Sequence, residues 1–388
     1  MAIGRIAIVG AGIGGMTAAA ALHRLGLRAD VYEQAFQLGE VGAGLQLAPN
    51  ATKVLGNLGL GDAIAEVAFE PTDIVSLNWS DGALRFREPL KAVTAERYGS
   101  PYMMAHRADL HALLSGVTPA EHIHLGRRCI DIETGGSGAV LTFSDGERVE
   151  ADVVIAADGI HSAVRERLFG KAPARFTEQI CWRATVPIEK VPTRLGPDGG
   201  VRLDGTEYFR WLGPTGHVIC YPIRGGSVLN IFAGRVSSEW LDESWSAPSS
   251  REELTAAYAG WDPAMLEMFA HVEGCFKWGI YDRDPLPSWR SGRVMLMGDA
   301  AHPMMPTLAQ GAAISMEDGY AAALALSRFA DDPDRAIAAF DAERRPRAAK
   351  VQLQARTQFA NNRKVPAPPP IDCDWIYSYD VARYDPAA

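Results

Sequence analysis

Asp299 and His302 stand three residues apart in "MLMGDAAHPMMPTLAQGA", residues 295–312, between an apolar strand and the small residues that open a helix. A carboxylate just past a strand end can accept hydrogen bonds from ligand hydroxyls, and a histidine beside it could move a proton. Pro303 and Pro306 stiffen the turn and offer apolar surface with no N–H donor. A second group is Gly10, Gly12 and Gly15, spaced G-x-G-x-x-G, with Glu33 eighteen residues after the last glycine. Gly10 permits a tight turn, Gly12 lets the backbone approach a pyrophosphate, and Gly15 allows close helix–strand packing. The following helix N-terminus stabilises phosphate charge. Glu33 can accept from ribose hydroxyls and disfavours a 2′-phosphate, so the spacing predicts an ADP-like ligand, NAD or FAD.

These residues need elements to hold them. "RIAIV" (5–9), "GGMTAAAALHRLG" (14–26) and "ADVYE" (29–33) read as strand, helix and strand. "ADVVIAADGIHSAVRERLF" (151–169) puts an Asp158–Gly159 turn after a buried strand and before an arginine-rich helix. "RVMLM" (293–297) is another buried strand, followed by a helix over about 310–329 and a second over 335–362 with an irregularity expected at Pro346. Helices are also predicted over 48–60 and 107–114, and 364–374 reads as an extended proline-rich linker. From 175 to 285 the texture changes to short β-branched and aromatic runs between Gly/Pro turns, the pattern of a largely antiparallel sheet. Alternation puts Tyr208 and Arg210 on one face and Phe209 and Trp211 on the other, while His217, Ile219 and Tyr221 share a face. The expected fold is α/β: a discontinuous Rossmann-like dinucleotide domain (1–174 and 286–330), an inserted antiparallel sheet (175–285), and a C-terminal helix and tail (331–388).

A net charge of −9 argues against nucleic acid or an anionic membrane as the main partner. The N-terminal apolar run is cut short by glycines and reads as a strand, not a signal peptide, and no stretch reaches the roughly 18 apolar residues of a membrane helix. Five scattered cysteines without C-x-x-C, and His106 and His111 five apart, predict neither a disulfide framework nor a metal site. A cytoplasmic protein, monomer or homodimer, is expected.

The glycine fingerprint, the Asp158–Gly159 turn and the Gly298–Asp299 turn together resemble the single-component, FAD-dependent aromatic hydroxylases, flavoprotein monooxygenases of the para-hydroxybenzoate and salicylate hydroxylase type. The resemblance implies that Gly10, Gly12, Gly15, Glu33 and Gln34 meet the ADP part of FAD. It implies that Asp158 meets FAD and a transient nicotinamide nucleotide, that Asp299 holds the ribityl chain, and that Arg107 reaches the phosphate and ribityl region. Cys129 corresponds to a backbone contact with adenine. Pro303 and Pro306 line the ring, and the helix start at Gln310, Gly311 and Ala312 faces the flavin's pyrimidine edge, where a positive dipole end stabilises negative charge. Such enzymes take electrons from NADH or NADPH and transfer one atom of O2 to an electron-rich ring through a C4a-hydroperoxyflavin. One fingerprint without a second fits transient nicotinamide binding.

The loop "GEVGAGLQLAPN" (39–50) resembles the family's flavin-adjacent loop, with Gly42, Ala43 and Gly44 close to the ring and Gln46 pointing into the cavity. Tyr208 and Tyr221 are candidates on the opposite wall, Tyr221 to orient a phenol or pass a proton. Arg183, Arg210 and Arg224 are candidates for a substrate carboxylate, which a guanidinium matches bidentately. The tail "DWIYSYD" (374–380) is similar to those of salicylate and 6-hydroxynicotinate hydroxylases. The latter carry histidines where this chain has Gln46 and Thr307, and neither replaces a titrating imidazole. The expected substrate is therefore a related phenolic or N-heteroaromatic acid, with or without decarboxylation. A flavin dehydrogenase or reductase and a non-catalytic FAD-binding module stand as alternatives.

Overall fold

The structure is a computed structural model that describes residues 3–39, 43–195, 201–203, 206–238, 247–362, 364, 368 and 371–387. The apolar runs beside the glycine motifs form one six-stranded sheet. Its order is Arg290–Ser291, Val294–Leu296, Val153–Ala156, Ile6–Val9, Ala29–Tyr32, Ile123–His124. All neighbours are parallel except the short 290–291 edge strand. Strands buried on both faces need continuous apolar sequence, and Ile6–Val9, Val153–Ala156 and Val294–Leu296 are buried at every position.

Register decides where the chemistry goes. Val9 lies opposite both Tyr32 and Ala156, and Ala156 lies opposite Leu296. The segments that follow, carrying Gly10, Glu33, Asp158 and Asp299, therefore leave the sheet along one carboxyl edge. Ligands of doubly wound sheets bind along that edge. Helix Ile13–Arg24 packs against helix Gly311–Arg328 through small residues. A Cβ on Gly319 would lie 2.7 Å from the Ala18 backbone nitrogen.

The second sheet has eight strands in the order Ala247–Ser249, Cys275–Asp282, Arg175–Pro187, Val228–Val236, Gly216–Ile223, Glu207–Gly213, Asp73–Asn78, Leu84–Pro89. It is antiparallel except where Glu207–Gly213 runs parallel to Asp73–Asn78. Two of its strands thus come from 73–89, outside the 175–285 span drawn from sequence texture. One face, with Trp182, Phe209, Trp211 and Cys220, forms a core with Tyr258, Trp261 and Met265. The other carries Arg183, Tyr208, Tyr221, Asn230 and Phe232. A ribbon of Gly44–Leu47 and Met103–His106 runs antiparallel beside it.

The C-terminal helix runs unbroken from Pro333 to Asn362, through Pro346, so the expected irregularity does not interrupt it. Buried ion pairs from Arg344 and Arg347 hold the helix on both sides of the proline. No described helix is long and apolar enough to cross a membrane.

Candidate active site

The glycine loop is shaped by clashes that only glycine avoids. Gly10 has φ +101, and a Cβ there would run into the Ala157 carbonyl; one on Gly15 would overlap the Gly10 carbonyl. Gly12 differs, since a Cβ there meets nothing within 4 Å. That open backbone surface lies at the start of helix Ile13–Arg24, whose N-cap supplies no side chain to the first amides. An anion can take those donors. Glu33 accepts from the amides of Ala11 (2.8 Å) and Ala35 (2.9 Å), which ties the loop to the neighbouring strand end and leaves lone pairs for ligand hydroxyls. Gln34, beside it, is exposed.

Asp158 Oδ1 is buried with no hydrogen-bond partner, while Oδ2 accepts from Val164 N at 3.3 Å. Burial raises its carboxyl above the ordinary range. Cys129 is buried near it, with the thiol pushed up to about 12 by burial and then by the Asp158 charge. Asp299 keeps an exposed side chain. Yet desolvation raises its carboxyl too, against the opposing charges of His302 and Arg107. A group both accessible and desolvated lines a concave site. Arg107, at the start of helix Arg107–Ser115, is pushed down to about 10 by burial, against the pull of Asp299. Its amide donates to Ala43 O at 3.0 Å, holding the ribbon loop beside it. Gly42 lies outside the described residues.

Helix Gly311–Arg328 also begins without a side-chain cap, at Gln310. Gly311 and Ala312 stay partly accessible, so their end of the helix dipole is open to a ligand. Gln310 accepts from Asn50 at 2.9 Å, and its Nε2 is buried without a partner. Open amide ends, an orphan carboxylate oxygen and a concave acid at one sheet edge suit an extended molecule with phosphates, a polyol and a polar ring edge. FAD has these parts.

Across the cleft, Gly44 N donates to Asn230 Oδ1 at 2.8 Å, and a Cβ on Gly44 would lie 2.6 Å from Asn230 Cγ. This contact pins the ribbon to the eight-stranded sheet. Tyr102 donates to Gln46 Oε1 at 2.7 Å, and Gln46 Nε2 lies 3.5 Å from the Tyr208 hydroxyl. The Tyr208 and Tyr221 rings meet edge to face at 5.7 Å. Burial holds the Tyr221 phenol well above its ordinary value.

A family model for the FAD binding domain matches residues 5–355. Over 97% of this chain and 96% of the relative, the sequence is 38% identical to 3-amino-4-hydroxybenzoate 2-monooxygenase PtnB3 of Streptomyces platensis. The chain belongs to the FAD-dependent aromatic hydroxylases. It is 35% identical to the 6-hydroxynicotinate 3-monooxygenase of Pseudomonas fluorescens, over 97% of this chain and 95% of that one. Klebsiella pneumoniae HpxO, solved with FAD and uric acid, superposes with a TM-score of 0.82 at 27% identity, covering 92% of this chain and 88% of that one.

The hydroxylase separates its three candidate arginines. Arg210 is paired with Glu88 at 2.5 Å, bonded to Ser76 and laid over Phe86. Arg224 holds Asp109 through two bonds of 3.0 Å. Both of these substrate-carboxylate candidates are engaged by protein acids. Arg183 lies over Phe232 and Trp278, and its Nε is buried without a hydrogen-bond partner. Its charge acts on both Arg107 and Tyr221.

Thr307 does not turn a free hydroxyl to the cavity: it donates to Ala355 O at 2.5 Å, held by the C-terminal helix. Pro303 is buried and its carbonyl accepts from Gln352 at 3.1 Å, whereas Pro306 is exposed. His302 is fully buried, stacked on Trp289 and bonded to Asp318 at 2.5 Å. Asn230, Tyr102 and the Glu317–Asp318 pair escape the sequence reading. A polar residue inside the apolar run "VLNIFAG" is the one signal that could have marked Asn230.

Proposed function

We propose that this hydroxylase uses NADH or NADPH and O2 to hydroxylate a phenolic or N-heteroaromatic carboxylic acid. The observation that carries the reading is Arg183. Its buried, unpartnered Nε sits on the sheet face it shares with Tyr221, and its charge reaches Arg107 and thus the Asp299 cluster. A half-buried guanidinium with a buried, unbonded Nε and no acid paired to it among the described residues is suited to a ligand carboxylate, while Tyr208, Tyr221 and Gln46 suit a ring hydroxyl or nitrogen. The relatives' named substrates, aminohydroxybenzoate and hydroxynicotinate, carry both features.

Gly10, Gly12, Gly15 and Glu33, with Gln34 adjacent, would hold the ADP end of FAD. The backbone at Cys129 would meet its adenine, Asp158 would border FAD and the transient nicotinamide nucleotide, and Arg107 and Asp299 would border the phosphate–ribityl span. Gly44, Pro303, Pro306, Gly311 and Ala312 would surround the ring system. When bound, FAD supplies hydride acceptance and O2 activation. The chain orients and shields. Uncapped amides at Gly311 and Ala312 stabilise negative charge at the ring edge. Tyr221, kept neutral by burial, donates a hydrogen bond to the substrate oxygen and so fixes which ring carbon is presented. Gln46 accepts from Tyr102 and cannot titrate; the selected substrate is one whose hydroxyl is oriented rather than deprotonated by an imidazole.

A panel of hydroxybenzoates, aminohydroxybenzoates and hydroxypyridine carboxylates tests this. The expected result is NAD(P)H oxidation stimulated by at least one acid, with one oxygen from labelled O2 in its product. Flavin reduction without oxygen gain by any acid would favour the dehydrogenase alternative.

A further inference from the structure

The helical turn Asp374–Tyr377 is too short to hold itself, yet it is fastened at almost every peptide. The carbonyls of Trp375 and Ile376 accept from Arg347 at 3.2 and 3.0 Å; those of Tyr377 and Ser378 accept from Lys53 at 2.9 and 3.1 Å. Asp374 takes the Tyr98 hydroxyl at 2.5 Å and an ion pair from Arg97. Ile376 is fully buried. So much fastening places one side chain with little freedom. The Tyr377 ring stands edge-on to Tyr98 (5.6 Å, 88°) and to Tyr102 (6.0 Å, 75°). It packs against the cluster that holds Tyr102, Tyr208 and Tyr221. Those three rings are 3–5% exposed, whereas Tyr377 keeps more of its surface.

We infer that Tyr377 is a specificity-determining wall of the substrate chamber, held by Asp374, Tyr98 and Lys53 as positioning residues. The inference rests on the hydroxylase reading above and deepens it. Tyr102 joins the two: its ring meets Tyr377 and its hydroxyl donates to Gln46. Edge-to-face rings are directional contacts, so the wall is stiff and limits ring width. The class of substrate it admits is a single-ring acid; a fused two-ring acid would collide with it.

The test uses full-length, FAD-loaded protein. Binding of single-ring hydroxy acids and of 1-hydroxy-2-naphthoate is followed by the change in flavin absorption, and product by mass. Tyr377→Ala should weaken binding of the best single-ring acid at least tenfold and gain the naphthoate, with FAD per protein unchanged. Tyr377→Phe should stay within threefold of wild type, since the ring does the work. Asp374→Asn, which loosens the segment from outside, should shift binding in the same direction as Tyr377→Ala but by less. It decides the matter if the alanine variant does not fold. Unchanged binding of both acid classes in Tyr377→Ala, or in Asp374→Asn where that variant stands in, overturns the inference. If wild type binds ring acids without oxygenating them, the monooxygenase reading falls while these affinities still judge the wall. If it binds no ring acid, both fall.

Discussion

Three arginines on or beside one sheet look alike in sequence and differ entirely in what they are free to do. Arg210 and Arg224 are neutralised by Glu88 and Asp109, partners more than a hundred residues distant. No local pattern announces such pairings. Arg183 has aromatic rings beneath it and a buried unpartnered nitrogen instead. Losing a charge-assisted hydrogen bond costs about 1.5–3 kcal/mol, or roughly 10–100-fold. Arg183→Ala should therefore raise KM for the acid substrate by about that factor, with FAD retained. Arg183→Lys should recover little, because an ammonium lacks the planar fork. The readout is KM for the acid against its primary amide: the variant should lose the preference for the acid, and an unchanged ratio would assign the carboxylate elsewhere.

The strand-end motifs were legible because their signal is local: a buried run, then glycine or aspartate, then a helix. Registers that align Val9, Tyr32, Ala156 and Leu296 bring those local signals to one edge. The place of hairpin Asp73–Asn78/Leu84–Pro89 in this sheet was not legible, since it joins through Asp73–Asn78 pairing with Glu207–Gly213, a long-range choice that leaves no mark on either segment. Thr307 likewise loses its place in the cavity to a helix that packs from 48 residues away. At this scale the fingerprint can be tested against its own geometry. Gly15→Ala must push the loop off the helix start, an overpacking penalty of about 1–3 kcal/mol that falls on the phosphate cradle. It should lower both denaturation stability and FAD per protein. Gly56→Ala, in helix Pro49–Asn57 with open space around it, should be neutral or stabilise by up to about 1 kcal/mol. Flavin release and urea titration of both variants check the contrast.

Across the whole molecule, one buried ionic group ties the cleft to the C-terminus. Glu317 and Asp318 sit on the helix that opens at Gly311, and Arg344 bonds both, at 2.6 and 2.9 Å. His302 reaches Asp318, Arg347 and Asn50 reach Glu317, and Arg347 also holds the tail carbonyls beside Tyr377. Burial alone would raise both carboxyls; Arg344 and Arg347 at Glu317, and His302 and Arg344 at Asp318, outweigh it and hold them below the ordinary range. A depressed folded pKa stabilises above the unfolded value, about 4 for a carboxyl, and that contribution is lost as pH falls through the folded one. Removing Arg344 leaves two fully buried carboxylates short of a counter-charge, a cost of about 3–5 kcal/mol. With the guanidinium gone both carboxyls rise from their depressed values, opposed only by Arg347 and Asn50 at Glu317 and by His302 at Asp318, so Arg344→Met should be most destabilised at pH 7 and the gap to wild type should narrow toward about pH 4.5. Adding Glu317→Gln and Asp318→Asn should restore part of the loss at pH 7. Thermal denaturation of the holoprotein at both pH values decides it: a pH-independent gap would mean that Arg344 acts through packing, not charge.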